Sequence, residues 1–232
     1  GNRYDQAGKI QIQPITQMPL GRWRWVAYLF LLIVGFTSVI VPTLIVLFWS
    51  SRGFNFSVMV SIANVIFQSA LVSVVTAILA TVVALVIAYT STRYPSIFSR
   101  IFERVSYIGY AMPPLAFALA WIFLSLQRFS FLYQTFWLLI TAYVLHFLTE
   151  SIGPIRSCIL QIPSHIEEAA RSLGCSPLAA FLKTTFPLLQ NGLLVSFTLV
   201  FLATMKELPI TALLSPIGFD TLALRLWSHA EE

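Results

Sequence analysis

Long apolar stretches separated by short polar ones set the pattern of this chain. Trp25 to Trp49 contains no charged residue, and neither does Gly53 to Thr92, whose most apolar part is Ile62 to Tyr89. A helix advances about 1.5 Å per residue, so roughly 20 apolar residues cross a hydrocarbon layer of about 30 Å. These two stretches predict two membrane spans. Val105 to Gln127, interrupted by Pro113-Pro114, predicts a third, Phe129 to Thr149 a fourth and Leu188 to Met205 a fifth. After Lys206 come short apolar pieces broken by Pro209, Pro216 and Asp220, with no sixth full span before Glu232. The expected fold class is all-α: a polytopic helical membrane bundle of five spans. A transmembrane barrel would alternate polar and apolar residues over about ten positions, whereas these runs are continuous.

Composition agrees with the pattern. Of 232 residues, 58% are hydrophobic and 10% charged, against about 25% charged in an ordinary soluble domain. That excludes a soluble enzyme, a disordered tail and a disulfide scaffold. The net charge is +5, which in a membrane protein reads as orienting charge on cytoplasmic loops and not as a nucleic-acid surface. Ten of the 14 basic residues fall on one side of the predicted bundle. They are Arg3, Lys9, Arg22 and Arg24 in the tail, Arg93, Arg100 and Arg104 after span two, and Arg156, Arg171 and Lys183 after span four. The positive-inside rule then places the N-terminus and the loop 150–186 in the cytoplasm. Residues 1–24 form a polar tail or linker, and 25–232 a membrane domain. Trp23, Trp25 and Trp49 fall at predicted interfaces, where indole rings are favoured. The chain starts at Gly1, and its first apolar run is too long for the core of a signal peptide. A piece of a longer polypeptide, or a processed form, is expected.

Candidate chemistry adds little. There is no HExxH, GxSxG or phosphate-binding GxxxxGK[ST] motif. Cys158 and Cys175 match no zinc spacing, and His146 with Glu150, four residues apart, lacks a third ligand. No catalytic, cofactor-binding or metal site is expected. Pro113 and Pro114 free carbonyls near Gly109 and Tyr110. They make either a kink that shapes a pathway or one that neighbouring helices absorb.

The segment 163–187, PSHIEEAARSLGCSPLAAFLKTTFP, carries most of the information. Ser164 and Glu167 form an S-x-x-E capping box. Ile166, Ala169, Ala170 and Leu173 make one apolar stripe at helical spacing. Glu167 and Glu168 suit the positive end of a helix dipole, and Arg171 stands four residues after Glu167, the stabilising order for an ion pair. Gly174 fits a helix C′ position that needs positive φ. Ser176-Pro177 then reads as the cap and first position of a second short helix, with Leu178, Phe181 and Leu182 on its apolar face. Pro187 marks the start of span five. A helix, a glycine turn and a second helix in a cytoplasmic loop read as a docking element; the competing reading is an amphipathic helix lying on the membrane.

Glu168-Ala169-Ala170, three residues, Gly174, nine residues, then Thr184-Thr185-Phe186-Pro187 resembles the EAA loop of ABC importer permeases. The family pattern is EAA, three residues, Gly, nine residues, then I-x-L-P. The spacing is kept throughout, with Thr184 and Phe186 in place of the usual Ile and Leu. In that family the loop is a coupling helix seated in the ATPase subunit. The resemblance implies that Glu167, Glu168, Ala169, Ala170, Arg171, Gly174 and Pro187 serve that contact. Leu20 to Trp25, Ala111 to Pro114, Met205 to Pro209 and Phe219 to Ala223 look like the second half of a duplicated permease of the ferric-iron class. Permeases for thiamine, sulfate, molybdate or polyamines share parts of these segments. The family usually has one more helix than is found here.

The resemblance implies a permease subunit of the bacterial inner membrane. Its partners would be ABC ATPase subunits, a second permease half, an external substrate-binding protein and membrane lipid, with ATP used by the ATPase subunit. Lys206 and Glu207 sit either at the outer interface or in the mouth of the pathway; the resemblance favours the mouth. The rival classes are a membrane assembly or signalling subunit that docks without transport, and an intramembrane enzyme.

Overall fold

The computed structural model describes residues 21–52 and 56–231. The tail expected over residues 1–24, with Arg3 and Lys9, lies outside the described residues as far as residue 20, as does Glu232. The chain divides into two units at Phe56/Ser57.

Among its described residues the first unit holds a single helical rod of 30 residues. It consists of α1 (Trp23–Gly35), a π turn (Phe36–Ile40) and α2 (Val41–Arg52). None of its residues is buried, as suits a span whose apolar side chains face lipid. The π turn has a local cause. Pro42 has no N–H to offer the Ser38 carbonyl, so the helix widens just before it. Hydroxyls take up neighbouring carbonyls: Thr37 Oγ1 donates to Ile33 O at 2.8 Å and Thr43 Oγ1 to Val39 O at 2.6 Å. At the ends Arg24 lies over the Trp25 ring and Arg52 over Phe48.

The second unit begins with α3 (Phe56–Arg93), a 38-residue helix. Its buried side is small: Ser69, Ser73, Thr76, Ala80, Ala84 and Ala88 recur every three or four residues and are almost wholly enclosed. Small residues let helices approach closely where lipid tails supply no hydrophobic drive. Ala77 and Ala80 enter one core with Leu139, Tyr143, Val200 and Ile210. Ala84 and Ala88 enter a second core with Ile152, Ile155, Ile159 and Leu189.

The expected third span is a broken helix. α4 (Ile97–Ala111) and α5 (Pro114–Arg128) meet at 111°. The two prolines explain why this exceeds a kink. Pro114 forces its predecessor out of the helical region, and Met112 and Pro113 are both extended (ψ 139° and 134°). Each limb has 15 residues, about 22 Å, so neither crosses the hydrocarbon alone. α4 also starts earlier than expected, because a reciprocal capping box between Ser96 and Ser99 opens it (2.9 and 3.0 Å). Arg100 and Arg104, expected in a loop, lie on this helix.

α6 (Phe136–Gln161) is the central helix, packed against α4, α5 and α9. The fourth span was expected to run from Phe129 to Thr149. Instead Thr135 caps it, a 3₁₀ turn (Ser130–Leu132) precedes it, and it continues through Pro154 to Gln161. The long loop expected over 150–186 is shortened accordingly. α9 (Phe186–Met205) packs closely beside the proline: a Cβ on Gly192 would fall 3.2 Å from the Pro154 carbonyl oxygen, and Ser196 Oγ donates to Ser151 O at 2.7 Å.

α4 meets α6 along Glu103, Ser106 and Gly109. Thr149 Oγ1 donates to Ser106 O at 2.9 Å, and Arg156 pairs with Glu103. Arg156 is thus a helix residue bound to a buried acid, not free loop charge. Arg156→Ala should strand Glu103, destabilising the bundle by about 1–3 kcal/mol. Thermal unfolding of the purified protein measures this, and Glu103→Gln in the same background should restore part of it.

α7 (His165–Ser172), α8 (Pro177–Ala180) and a π turn (Phe181–Thr185) precede α9. α8, the π turn and α9 form one helical run, so span five extends back to Pro177. α10 (Pro209–Leu214) folds against α5 and α6, and α11 (Leu222–Glu231) follows. By length and composition the described residues hold four helices able to cross a membrane, or five if the bent pair counts as one.

Candidate docking loop

Local chemistry builds the turn between α7 and α8. Gly174 has φ +89°, a conformation that costs other L-residues about 1–2 kcal/mol. The Cys175 N–H bonds to Ala170 O (3.2 Å) and the Gly174 N–H to Arg171 O (3.0 Å), the paired bonds of a Schellman ending. Ser176 then caps α8, its Oγ accepting from the Ala179 N–H at 3.3 Å, with Pro177 in the first turn. Both the glycine turn and the second cap agree with the sequence reading.

The first cap does not. Ser164 is already helical (φ −64°, ψ −30°) and makes no side-chain cap bond; a cap residue needs extended backbone to aim its oxygen at the third helical N–H. The capping box expected of Ser164 and Glu167 is therefore absent. Glu167 also makes no ion pair with Arg171. It turns inward, where Tyr89 Oη donates to its Oε2 at 2.7 Å and Thr185 Oγ1 donates to its Oε1. Arg93, at the end of α3, donates from Nη2 to Ile162 O at 2.7 Å. Tyr89 packs edge-on against Phe181, centroids 4.8 Å apart. The base of the loop is thus tied to α3, the end of α6 and the π turn before α9.

The apolar stripe divides for the same reason. Ile166 and Ala170 are half-buried, but Ala169 is exposed and Leu173 is 87% exposed. Glu168, Arg171 and Ser172 are exposed beside them. Glu168, Arg171, Ser172, Cys175 and Pro177 line an open concavity on this outer face. Pro187 lies in the first turn of α9, exposed and apart from that face.

Lys206 and Glu207 lie at the far end of α9, one 20-residue helix away, about 30 Å. Lys206 is exposed and Glu207 half-buried. Glu207 Oε1 accepts the Ile210 N–H at 3.3 Å, and its carbonyl accepts from Thr211 Oγ1 at 2.7 Å. Burial pushes the Glu207 carboxyl above the usual range, opposed by the Ile210 N–H and by Lys206. Glu207 therefore helps to start α10. Tyr89 and Arg93 have no part in the sequence reading of the loop, and Thr185 enters it only as an unassigned position in the motif's tail. Tyr89 is 78 residues from Glu167, and no local pattern announces such a pair.

A multi-pass helical bundle with a helix-turn-helix at one end defines a polytopic membrane protein. Residues 80–229 match the family described as "Binding-protein-dependent transport system inner membrane component", and the chain belongs to that family. It is 31% identical over 84% of its length to the Fe(3+)-transport system permease protein FbpB 2 of Haemophilus influenzae. It is 26% identical over 54% of its length to the putative 2-aminoethylphosphonate transport system permease protein PhnV of Salmonella typhimurium. It is also 29% identical over 57% of its length to the probable sulfate transport system permease protein cysT of Helicosporidium sp. subsp. Simulium jonesii. The chain spans 39%, 48% and 53% of these three relatives.

Proposed function

We propose that this chain is a transmembrane permease subunit, or half-subunit, of an ATP-driven ABC importer, and that the segment 163–187 couples it to a separate ATPase subunit. The outward face of α7 carries this reading: Glu168, Ala169, Arg171 and Leu173 stand exposed on a helix whose other side is tied down. An exposed leucine at the end of a helix that also exposes Glu168 and Arg171 suits a protein groove. Against the membrane-lying alternative, the half-buried side of α7 faces the bundle and its exposed side carries Glu168 and Arg171. Gly174 and the Ser176 cap hold α7 and α8 at a set angle, and Pro187 lies within the helical run that the loop would move.

In this mechanism an external binding protein delivers cargo, and ATP binding in the partner subunit shifts the bundle between two packed states. A second permease half completes the pathway, with Lys206 and Glu207 near its outer mouth. The basic-residue count supports a cytoplasmic N-terminus and a cytoplasmic α7, and the proposed location is a bacterial inner membrane. Ferric iron is the proposed cargo, supported by the similarity to the Haemophilus permease over most of the chain. Phosphonate or sulfate is the alternative within the same reading.

The test is co-purification. An ATPase subunit should co-purify with the native chain, and Leu173→Glu should reduce its recovery at least fivefold while membrane insertion is unchanged. Equal recovery would refute the docking face. Cargo is tested separately, by which loaded binding protein stimulates the complex's ATPase; stimulation by a sulfate-loaded protein alone would overturn iron.

A further inference from the structure

α7 has its outward residues free, but its inward side is fastened by one acidic residue. Glu167 presents both carboxylate oxygens to hydroxyls on two different elements. Tyr89 belongs to the last turns of α3, and Thr185 to the π turn that leads into α9. Thr185 is completely buried and Tyr89 half-buried. Among the described residues Glu167 makes no ion pair, although Arg171 stands one turn away on the same helix. Hydrogen bonds to a charged acceptor are about twice as strong as neutral ones, so the carboxylate makes a firm three-way joint. Phe181 packs edge-on against the Tyr89 ring, and the Arg93 bond to Ile162 O holds the chain just before α7 to the same end of α3.

We propose that Glu167 is a positioning residue that transmits displacement of α7 to the adjoining ends of α3 and α9. The inference rests on the coupling reading above and goes beyond it by separating two jobs. Glu168, Ala169, Arg171 and Leu173 meet the partner, whereas Glu167 faces inward and makes the bundle follow. Without the joint, α7 would dock and rock on its short connections while α3 and α9 stayed behind.

The test uses the complete complex with its ATPase subunits in lipid vesicles and needs no knowledge of the cargo. Both native cysteines are kept, and a fluorescent amino acid is introduced at Ile217 by stop-codon suppression. Ile217 is 86% exposed in the turn beyond α10, at the opposite end of α9 from α7. The label should respond to ATP in the parent complex. Glu167→Ala should reduce that response at least fivefold while ATPase recovery stays within twofold. Glu167→Gln keeps one acceptor and offers an amide donor that a hydroxyl can accept, so it should retain more than half of the response. Tyr89→Phe removes only the hydroxyl and keeps the ring against Phe181; it should show an intermediate loss. A role in folding alone would lower ATPase recovery and the response together.

A full response in Glu167→Ala, or in both Glu167→Gln and Tyr89→Phe should the alanine variant fail to assemble, would overturn the joint alone. A parent complex without bound ATPase, or without any response to ATP, would overturn the coupling reading and the joint with it.

Discussion

Gly174→Val should cut ATP-coupled transport roughly tenfold or more while the chain still inserts into the membrane. The reason lies in the backbone. Gly174 has φ +89°, and nothing lies within 4 Å of where its Cβ would sit, so packing offers no obstacle. The obstacle is the left-handed conformation, which costs an L-residue about 1–2 kcal/mol and a β-branched one more. Valine would open the turn, break the bonds to Ala170 O and Arg171 O, and swing α7 away from α8. The docking face would keep its residues and lose its angle. Gly174→Asn tolerates positive φ better and should keep most of the activity. Uptake into vesicles, normalised to inserted protein, measures both variants; equal uptake by the valine variant would show that the turn has no role in coupling.

Gly109→Val should be more damaging to the fold itself. A Cβ on Gly109 would fall 2.6 Å from the Leu145 carbonyl oxygen and 3.3 Å from its carbon. Both are backbone atoms of the central helix, so neither can swing aside. Overpacking of this kind costs about 1–3 kcal/mol, and valine adds two methyl groups beyond the first carbon. α4 would be pushed off α6, taking with it the Thr149–Ser106 bond and the Glu103–Arg156 pair. The folded yield should fall severalfold, with a lower midpoint of thermal unfolding. Gly153→Ala is the matched control, because no atom lies within 4 Å of a Cβ there. It should be neutral or slightly stabilising, since alanine favours a helix interior over glycine by about 1 kcal/mol. Similar behaviour of the two variants would contradict the close approach of α4 to α6.

Much of this was legible beforehand because it depends on local composition or on a backbone rule. The long charge-free runs define helices that must satisfy their own hydrogen bonds in lipid. The first two, fourth and fifth appear near their expected places, each longer than expected and the fourth displaced towards the C-terminus. Gly174 and Ser176 were readable for the same reason: a left-handed turn and a helix cap are decided by the residue and its immediate neighbours. Pro113-Pro114 was readable as an interruption, though not as a 111° bend. The angle depends on what α5 packs against, and α10, arriving about 100 residues later, is one of its partners.

Glu167 marks the boundary between the two kinds of knowledge. Its position in S-x-x-E and four residues before Arg171 gave it two local roles, and it performs neither. Each local role contributes at most about 1 kcal/mol at an exposed site. Two hydroxyls brought in by α3 and the π turn offer charge-assisted bonds in a partly water-excluded place, and these prevail. Arg156 tells the same story: a loop charge by its neighbours, a partner of Glu103 once α4 lies against α6. By itself the sequence determined a helical membrane protein, the approximate positions of its charge-free helices and the turn at Gly174, because lipid and backbone sterics act on each segment alone. Only the tertiary structure decided which acid of the loop faces outward and which is bound within the bundle. That choice depends on hydroxyls 78 and 18 residues away, and only packing brings them within bonding distance.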